Sequence, residues 1–237
     1  QAKKDYQNKK INSMSDKFID SDWKKRDECA LFLAEGDSAG GPIKRTKDNK
    51  DAVMLLRGKV LNTAKEPFDK VVENNELMMI SKGLGATLTE DGFLLAERNM
   101  RFGKIIIATD SDPDGSHISS LLMTFFYEYY PNIIKRGMLY SLAPKLFKIT
   151  HNGKDVYFGN EAELQAYLKA NKLKNPNVNR YKGLGSFDDD EFVYNALQLI
   201  QPYGMVVLNN ERHVQILIRR QKEAGCILRP LFRLYKR

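Results

Sequence analysis

Lys104-Ile-Ile-Ile-Ala-Thr-Asp-Ser-Asp-Pro-Asp-Gly-Ser-His117 holds the clearest structural signal in the chain. Ile105–Ala108 form an uninterrupted apolar run, the mark of a short strand buried on both faces. Three carboxylates follow at alternate positions, Asp110, Asp112 and Asp114, and an apolar run that reads as a helix begins at Ile118. In an open α/β sheet, ligands sit beyond the carboxyl ends of the strands, which is where these acids fall. Carboxylates this close repel one another unless a cation neutralises them, and hard oxygen donors suit Mg²⁺, Mn²⁺ or Ca²⁺. An EF-hand is excluded: its loop needs a preceding helix and a glutamate at position twelve. Here a strand precedes, and the twelfth residue from Asp110 is Leu121. A solvated Asp-rich turn is the simpler alternative.

Earlier in the chain, Cys29-Ala-Leu-Phe-Leu-Ala34 reads as a second buried strand, followed at once by Glu35-Gly-Asp-Ser-Ala-Gly-Gly41. Glycines there allow a tight turn and close approach of backbone to phosphate. The segment lacks the G-K-[ST] ending of a P-loop and is not G-x-G-x-x-G, which disfavours ATP binding at this place. A glutamate at one strand tip and aspartates at another would supply metal ligands and a general base at one sheet edge. Residues 42–52 read as a mobile basic connection. Val53–Leu61 is apolar but for Arg57 and Lys59, which either grip phosphate or are plain surface charges. Residues 66–82 read as one helix, broken at Lys82-Gly-Leu-Gly85, and 91–101 as carrying a helical turn. The aromatics of Ile118–Tyr130 suit core packing better than base stacking, since no basic residues alternate with them.

Further on, Met138–Ala143 and Lys145–Ile149 suggest a strand pair. Asn152-Gly153 signals a hairpin joining Phe147–Thr150 to Asp155–Phe158. A helix is expected over 160–170, and another from Asp188 through Leu199. The 237 residues carry a net charge of +8, which favours a polyanionic partner without identifying it. The last 33 residues hold eight Lys or Arg against two acids, a surface for nucleic acid or for docking on a larger assembly. Two cysteines, Cys29 and Cys226, make a disulfide framework unexpected and suit a reducing compartment. No apolar run reaches membrane-spanning length. The chain opens at Gln1 without a methionine, which points to a piece of something longer.

Four segments, Glu35-Gly-Asp-Ser-Ala39, Leu56-Arg-Gly-Lys-Val-Leu-Asn62, Asp110–His117 and Arg180-Tyr-Lys-Gly-Leu-Gly185, resemble in order and spacing the Toprim region of type IIA DNA topoisomerases. The likeness covers about residues 13–195. The Gly40-Gly41 ending resembles the bacterial gyrase B and topoisomerase IV branch. The short chain and divergent tail resemble the large subunit of phage topoisomerases.

The resemblance implies an α/β Toprim fold, a small parallel sheet flanked by helices, with a C-terminal basic extension. It divides the chain into 1–28, the end of a preceding domain; 29–150, the Toprim core; 151–200, an associated hairpin and helices; and 201–237, the extension. It implies Mg²⁺ as cofactor, with Mn²⁺ or Ca²⁺ substituting in binding, held by Glu35, Asp110, Asp112 and Asp114. Glu35, Asp110, Asp112, Lys59 and His117 are the implied catalytic residues, with Glu35 a proton shuttle at the 3′ side of a DNA break. Arg57, Lys59, Arg180 and Lys182 are the implied DNA-binding residues. The implied partners are double-stranded DNA and a tyrosine-bearing winged-helix breakage-reunion subunit or domain, in a dimeric or heterotetrameric assembly away from any membrane. ATP would be used by a domain outside these residues. The implied location is cytoplasmic or nucleoid-associated, in the host cytoplasm if phage-encoded. A Toprim nuclease or primase, or a non-catalytic DNA-binding scaffold, are the competing readings.

Overall fold

In the computed structural model, which describes residues 16–57, 60–90, 92–142, 144–193 and 205–207, the unbroken apolar runs are the strands buried on both faces. In chain order the strands are β1 (Phe18–Ile19), β2 (Ala30–Glu35), β3 (Ala52–Leu56), β4 (Thr87–Thr89), β5 (Gly92–Leu94), β6 (Lys104–Ala108), β7 (Leu139–Leu142), β8 (Phe147–His151), β9 (Lys154–Phe158), β10 (Val178–Arg180) and β11 (Met205–Val207). Six of them form one sheet in the order β1-β3-β2-β6-β7-β11. The four central strands are parallel, with Leu33 opposite Met54 on one side and Ile107 on the other. At the two edges β1 and β11 run antiparallel, so the sheet is mixed rather than wholly parallel.

Alternate side chains of each central strand point to opposite faces. Leu31, Leu33, Met54, Ile105 and Ile107 pack with helices Asn75–Leu84, Pro113–Tyr129 and Pro131–Lys135. Phe32, Val53, Leu55 and Ile106 pack with Ala39 and Ile43 of helix Gly36–Thr46, and with Leu184, Phe187 and Phe192. Helices therefore cover both faces, the arrangement that hides a parallel sheet from water. The aromatics after Ile118 are core, as expected: Phe125, Phe126 and Tyr130 are buried, with Phe125 and Tyr130 ring centroids 5.4 Å apart.

Several local readings change. Residues 42–46 belong to helix Gly36–Thr46, and Ala52 already starts β3, so only a short turn remains between them. That turn is tied down by Lys47 N–H on Ile43 O at 2.8 Å and by the Ala30 N–H on Asp51 Oδ1 at 2.8 Å. The helix expected over 66–82 is two, Phe68–Glu73 and Asn75–Leu84, because Asn74 leaves the helical path and its side chain caps Leu77 N–H at 3.0 Å. The helix after the acidic segment begins at Pro113, so Asp114 and His117 lie within it rather than on the turn before it. The strands near 139 and 147 do not pair. β7 joins the main sheet, whereas β8 sits in a separate three-stranded sheet ordered β10-β8-β9.

The hairpin at Asn152-Gly153 has the expected register, Phe147 opposite Phe158 and Thr150 opposite Asp155. Both turn residues have positive φ, 53° and 73°, as a two-residue hairpin turn needs. Helix Glu161–Ala170 starts just after its cap Asn160 and lays Leu164 against Phe147, Ile149 and Phe158. The helix from Asp189 is described only to its first turn, Asp189–Phe192. The expected continuation to Leu199 and most of the basic extension lie outside the described residues.

Candidate metal and nucleic-acid site

The chain leaves β2 into β3 on one side and β6 into β7 on the other, so the crevice between β2 and β6 is the topological switch point where α/β sheets bind ligands. Glu35 is the last residue of β2, and Asp110 follows two residues after the end of β6. Adjacent parallel pairing brings the two tips together, with the Asp110 N–H 3.4 Å from Glu35 Oε2, long for a hydrogen bond. The backbone can turn at once from β2 into helix Gly36–Thr46 because Gly36 takes φ +61°. Burial pushes the Glu35 carboxyl above its ordinary value; the Asp110 N–H opposes this, and the negative charges of Asp110, Asp112 and Asp114 add to it.

The structure gives each aspartate a different job. Asp110 Oδ1 accepts from Leu184 N–H at 2.8 Å. Asp112 Oδ1 accepts from Gly115 N–H at 2.8 Å and so caps helix Pro113–Tyr129. Asp114 lies exposed in the first turn of that helix, as does His117 in the next. Among the described residues no three His, Cys, Asp or Glu side chains converge as a ready coordination cluster. The donor chemistry nevertheless suits a hard divalent cation. All four candidate ligands are carboxylates, and each of Glu35, Asp110 and Asp112 engages the backbone through one oxygen while its other oxygen makes no hydrogen bond among the described residues.

Arg57 is exposed just past β3, and its guanidinium pairs with Asp37 in the first turn of helix Gly36–Thr46 at 2.9 Å. That puts one expected phosphate-binding cation beside the first residues after Glu35. Lys59 lies outside the described residues. Arg180 is exposed at the end of β10, with its guanidinium 5.7 Å from the Phe147 ring centroid. Lys182 is exposed at the start of the loop that reaches Asp110.

The unforeseen feature is how closely Lys182–Gly185 lies on the acidic tip. A Cβ on Gly183 would stand 2.7 Å from Asp110 Oδ1, and one on Gly185 would stand 2.9 Å from Ser38 Oγ. The four-residue glycine pattern was legible, but nothing in the linear sequence says that its target is 74 residues away. Arg45 and Asp189 were also missed. They form a two-pronged pair, Nε to Oδ2 at 3.0 Å and Nη2 to Oδ1 at 2.8 Å, which ties helix Gly36–Thr46 to the start of the helix after that loop.

Residues 30–140 match the Toprim domain. The chain is 41% identical over 174 residues to the DNA gyrase B protein of Treponema denticola, covering 73% of this chain and 27% of that protein. It is 39% identical over 184 residues to the DNA gyrase B protein of Staphylococcus aureus, covering 76% and 28%. Its structure resembles the Plasmodium falciparum topoisomerase II DNA-binding, cleavage and re-ligation domain with a TM-score of 0.65 at 30% identity, over 74% of this chain and 25% of that one. The chain therefore spans about a quarter of the length of these relatives. Residues 30–140 form a Toprim domain. More particularly, this Toprim region is of the kind that type IIA DNA topoisomerases carry.

Proposed function

We propose that this chain is the Toprim-bearing part of an ATP-dependent type IIA DNA topoisomerase and that it serves reversible double-strand cleavage of DNA by a tyrosine held elsewhere. The observation that carries the reading is the meeting of Glu35 and Asp110 at adjacent strand tips beside the switch point, within the Toprim match. Glu35, Asp110, Asp112 and Asp114 are the ligands for Mg²⁺. Bound there, Mg²⁺ supplies neutralisation of charge developing on the phosphoryl group and on the leaving oxygen.

In the cleavage step the tyrosine loses its proton to water, its oxygen bonds to phosphorus, and the bond from phosphorus to the sugar 3′ oxygen breaks. Glu35 delivers the proton that the departing 3′ oxygen needs, and takes it back on religation. Arg57, Lys59, Arg180 and Lys182 hold backbone phosphates, and His117 lines the cleavage centre. Binding DNA through Arg57 requires release of its exposed pair with Asp37, a small cost for a solvated ion pair.

Four of the described tyrosines are poorly disposed as nucleophiles. Tyr127, Tyr129 and Tyr130 pack in or against the core, and Tyr181 donates its hydroxyl to Glu191. The attacking tyrosine is therefore assigned to a winged-helix breakage-reunion chain or domain, and ATP hydrolysis to another part of a dimeric or heterotetrameric assembly. No helix among the described residues is long and apolar enough to cross a membrane. The place of such a DNA-handling assembly is the cytoplasm or the nucleoid.

Denaturing-gel transfer of end-labelled DNA to each purified polypeptide tests the assignment. With the breakage-reunion polypeptide, DNA and Mg²⁺, label should move to that polypeptide, and Asp110→Asn should cut the yield at least tenfold. Strong metal-dependent labelling of this chain alone would overturn the division of labour. Metal-dependent cutting by this chain alone without any adduct would establish a nuclease instead.

A further inference from the structure

The loop Lys182–Gly185 touches Asp110 at its tip, but it is held from behind. Ser186 Oγ accepts from the Lys182 and Gly183 N–H groups at 3.2 and 3.0 Å, and Leu184 is buried under the sheet. At the base of the loop the Tyr181 ring stacks on Phe187, centroids 4.2 Å apart and 19° between planes. Its backbone N–H donates to Leu146 O at 2.8 Å.

The Tyr181 hydroxyl donates to Glu191 Oε1 at 2.6 Å, and Lys148 Nζ approaches the same oxygen at 2.6 Å. Lys148 belongs to β8 of the second sheet and also meets Asp155 Oδ2 at 3.3 Å. Its side chain and that of Glu191 are each only 17% exposed, so the triad is screened far less than the surface pairs. Burial alone would raise the Glu191 carboxyl, but donors from Lys148 and Tyr181 outweigh it and hold Glu191 below its ordinary value.

We propose that Tyr181, Glu191 and Lys148 are positioning residues for Asp110. They brace the loop so that the Leu184 N–H occupies Oδ1 and the Gly183 backbone flanks the carboxylate, leaving Oδ2 directed to a divalent cation. The inference rests on reading the acids as a divalent-cation site. It gives the second sheet a purpose: its β8 lysine anchors the brace. Groups that orient a ligand from outside the coordination shell commonly change metal affinity by about 10- to 100-fold when lost.

Mn²⁺ provides the probe, its free concentration read by electron paramagnetic resonance during titration of the full 237-residue chain, with thermal unfolding in EDTA alongside. Tyr181→Phe keeps the ring on Phe187 and removes only the hydroxyl. It should weaken Mn²⁺ binding about tenfold. Gly183→Ala forces a methyl against the carboxylate and should weaken binding by about 10- to 100-fold. Arg45→Ala cuts the Arg45–Asp189 pair, which anchors the same segment without touching Glu191, and should leave Mn²⁺ affinity as in the wild type. If Gly183→Ala fails to fold, Tyr181→Phe decides the question. Wild-type affinity, or tighter binding, in Tyr181→Phe would overturn the positioning role, as would an equal loss in Arg45→Ala. Absence of Mn²⁺ binding by the wild-type chain would instead overturn the cation site itself.

Discussion

Asp112 Oδ1 caps a 17-residue helix while the same side chain is proposed to ligate a cation, so its two roles separate by substitution. Asparagine is about as good an N-cap as aspartate, whereas alanine forfeits the bond to Gly115 N–H. In EDTA, Asp112→Asn should unfold in urea within about 0.5 kcal/mol of the wild type, and Asp112→Ala should lose about 1 kcal/mol. With Mg²⁺ added both should lose most of the metal-dependent stabilisation, since neither keeps the charge. A large loss for Asp112→Asn in EDTA would mean that the carboxylate's charge, not its capping geometry, holds the helix start. The sequence places the three aspartates at alternate positions just beyond the end of one strand. The structure splits them between a strand tip, a helix cap and an exposed helical turn, because each carboxylate has different backbone surroundings.

At the level of elements, one link between the second sheet and the Toprim sheet runs through Glu191 with Lys148 and Tyr181. Burial of Glu191 favours the neutral acid, but the two donors prevail and its folded pKa lies below the ordinary 4.5. A depressed carboxylate contributes stability that is present above the unfolded value and is lost as pH falls through the folded one. The difference in melting temperature between wild type and Glu191→Gln should therefore be full near pH 7 and shrink as pH drops below about 4.5. A difference that grew on acidification would contradict the ion pair. Helix and hairpin signals served well where the deciding chemistry was local: Asn152-Gly153 set a turn and Asn160 a cap. They failed at Asn74, where an unbroken helical pattern concealed a side chain that caps the next helix, and at β7 and β8, where two neighbouring strand patterns belong to different sheets.

For the molecule as a whole, the cluster of acids sits in a chain of net charge +8. Basic charge suits a polyanion while the acidic tip suits a cation, and two of the exposed cations, Arg57 and Lys182, stand beside that tip. A cation that binds only the folded state stabilises it by mass action, by about 2.7 kcal/mol at a hundredfold excess over its Kd. For a chain of this size that is a rise of several degrees in Tm. Saturating Mg²⁺ should produce such a rise, EDTA should reverse it, and Asp110→Asn should abolish it in differential scanning calorimetry. An equal rise in the Asp110→Asn protein would place the cation elsewhere.

Residue order alone was enough to mark β2 and β6 as buried strands, and to specify the hairpin, the aromatic core and the acids Glu35 and Asp110 at the strand tips. Those features depend on side-chain type and short-range spacing, which periodicity and turn chemistry express directly. Folding in three dimensions was needed to bring Glu35 to Asp110, Arg57 to Asp37, and Lys182–Gly185 onto the Asp110 carboxylate. It was needed equally to bring Lys148 of a second sheet to Glu191. These contacts join residues 20 to 75 positions apart, and their geometry is set by strand order and by backbone approach close enough to exclude a Cβ. Neither strand order nor such an approach leaves a periodic trace along the chain.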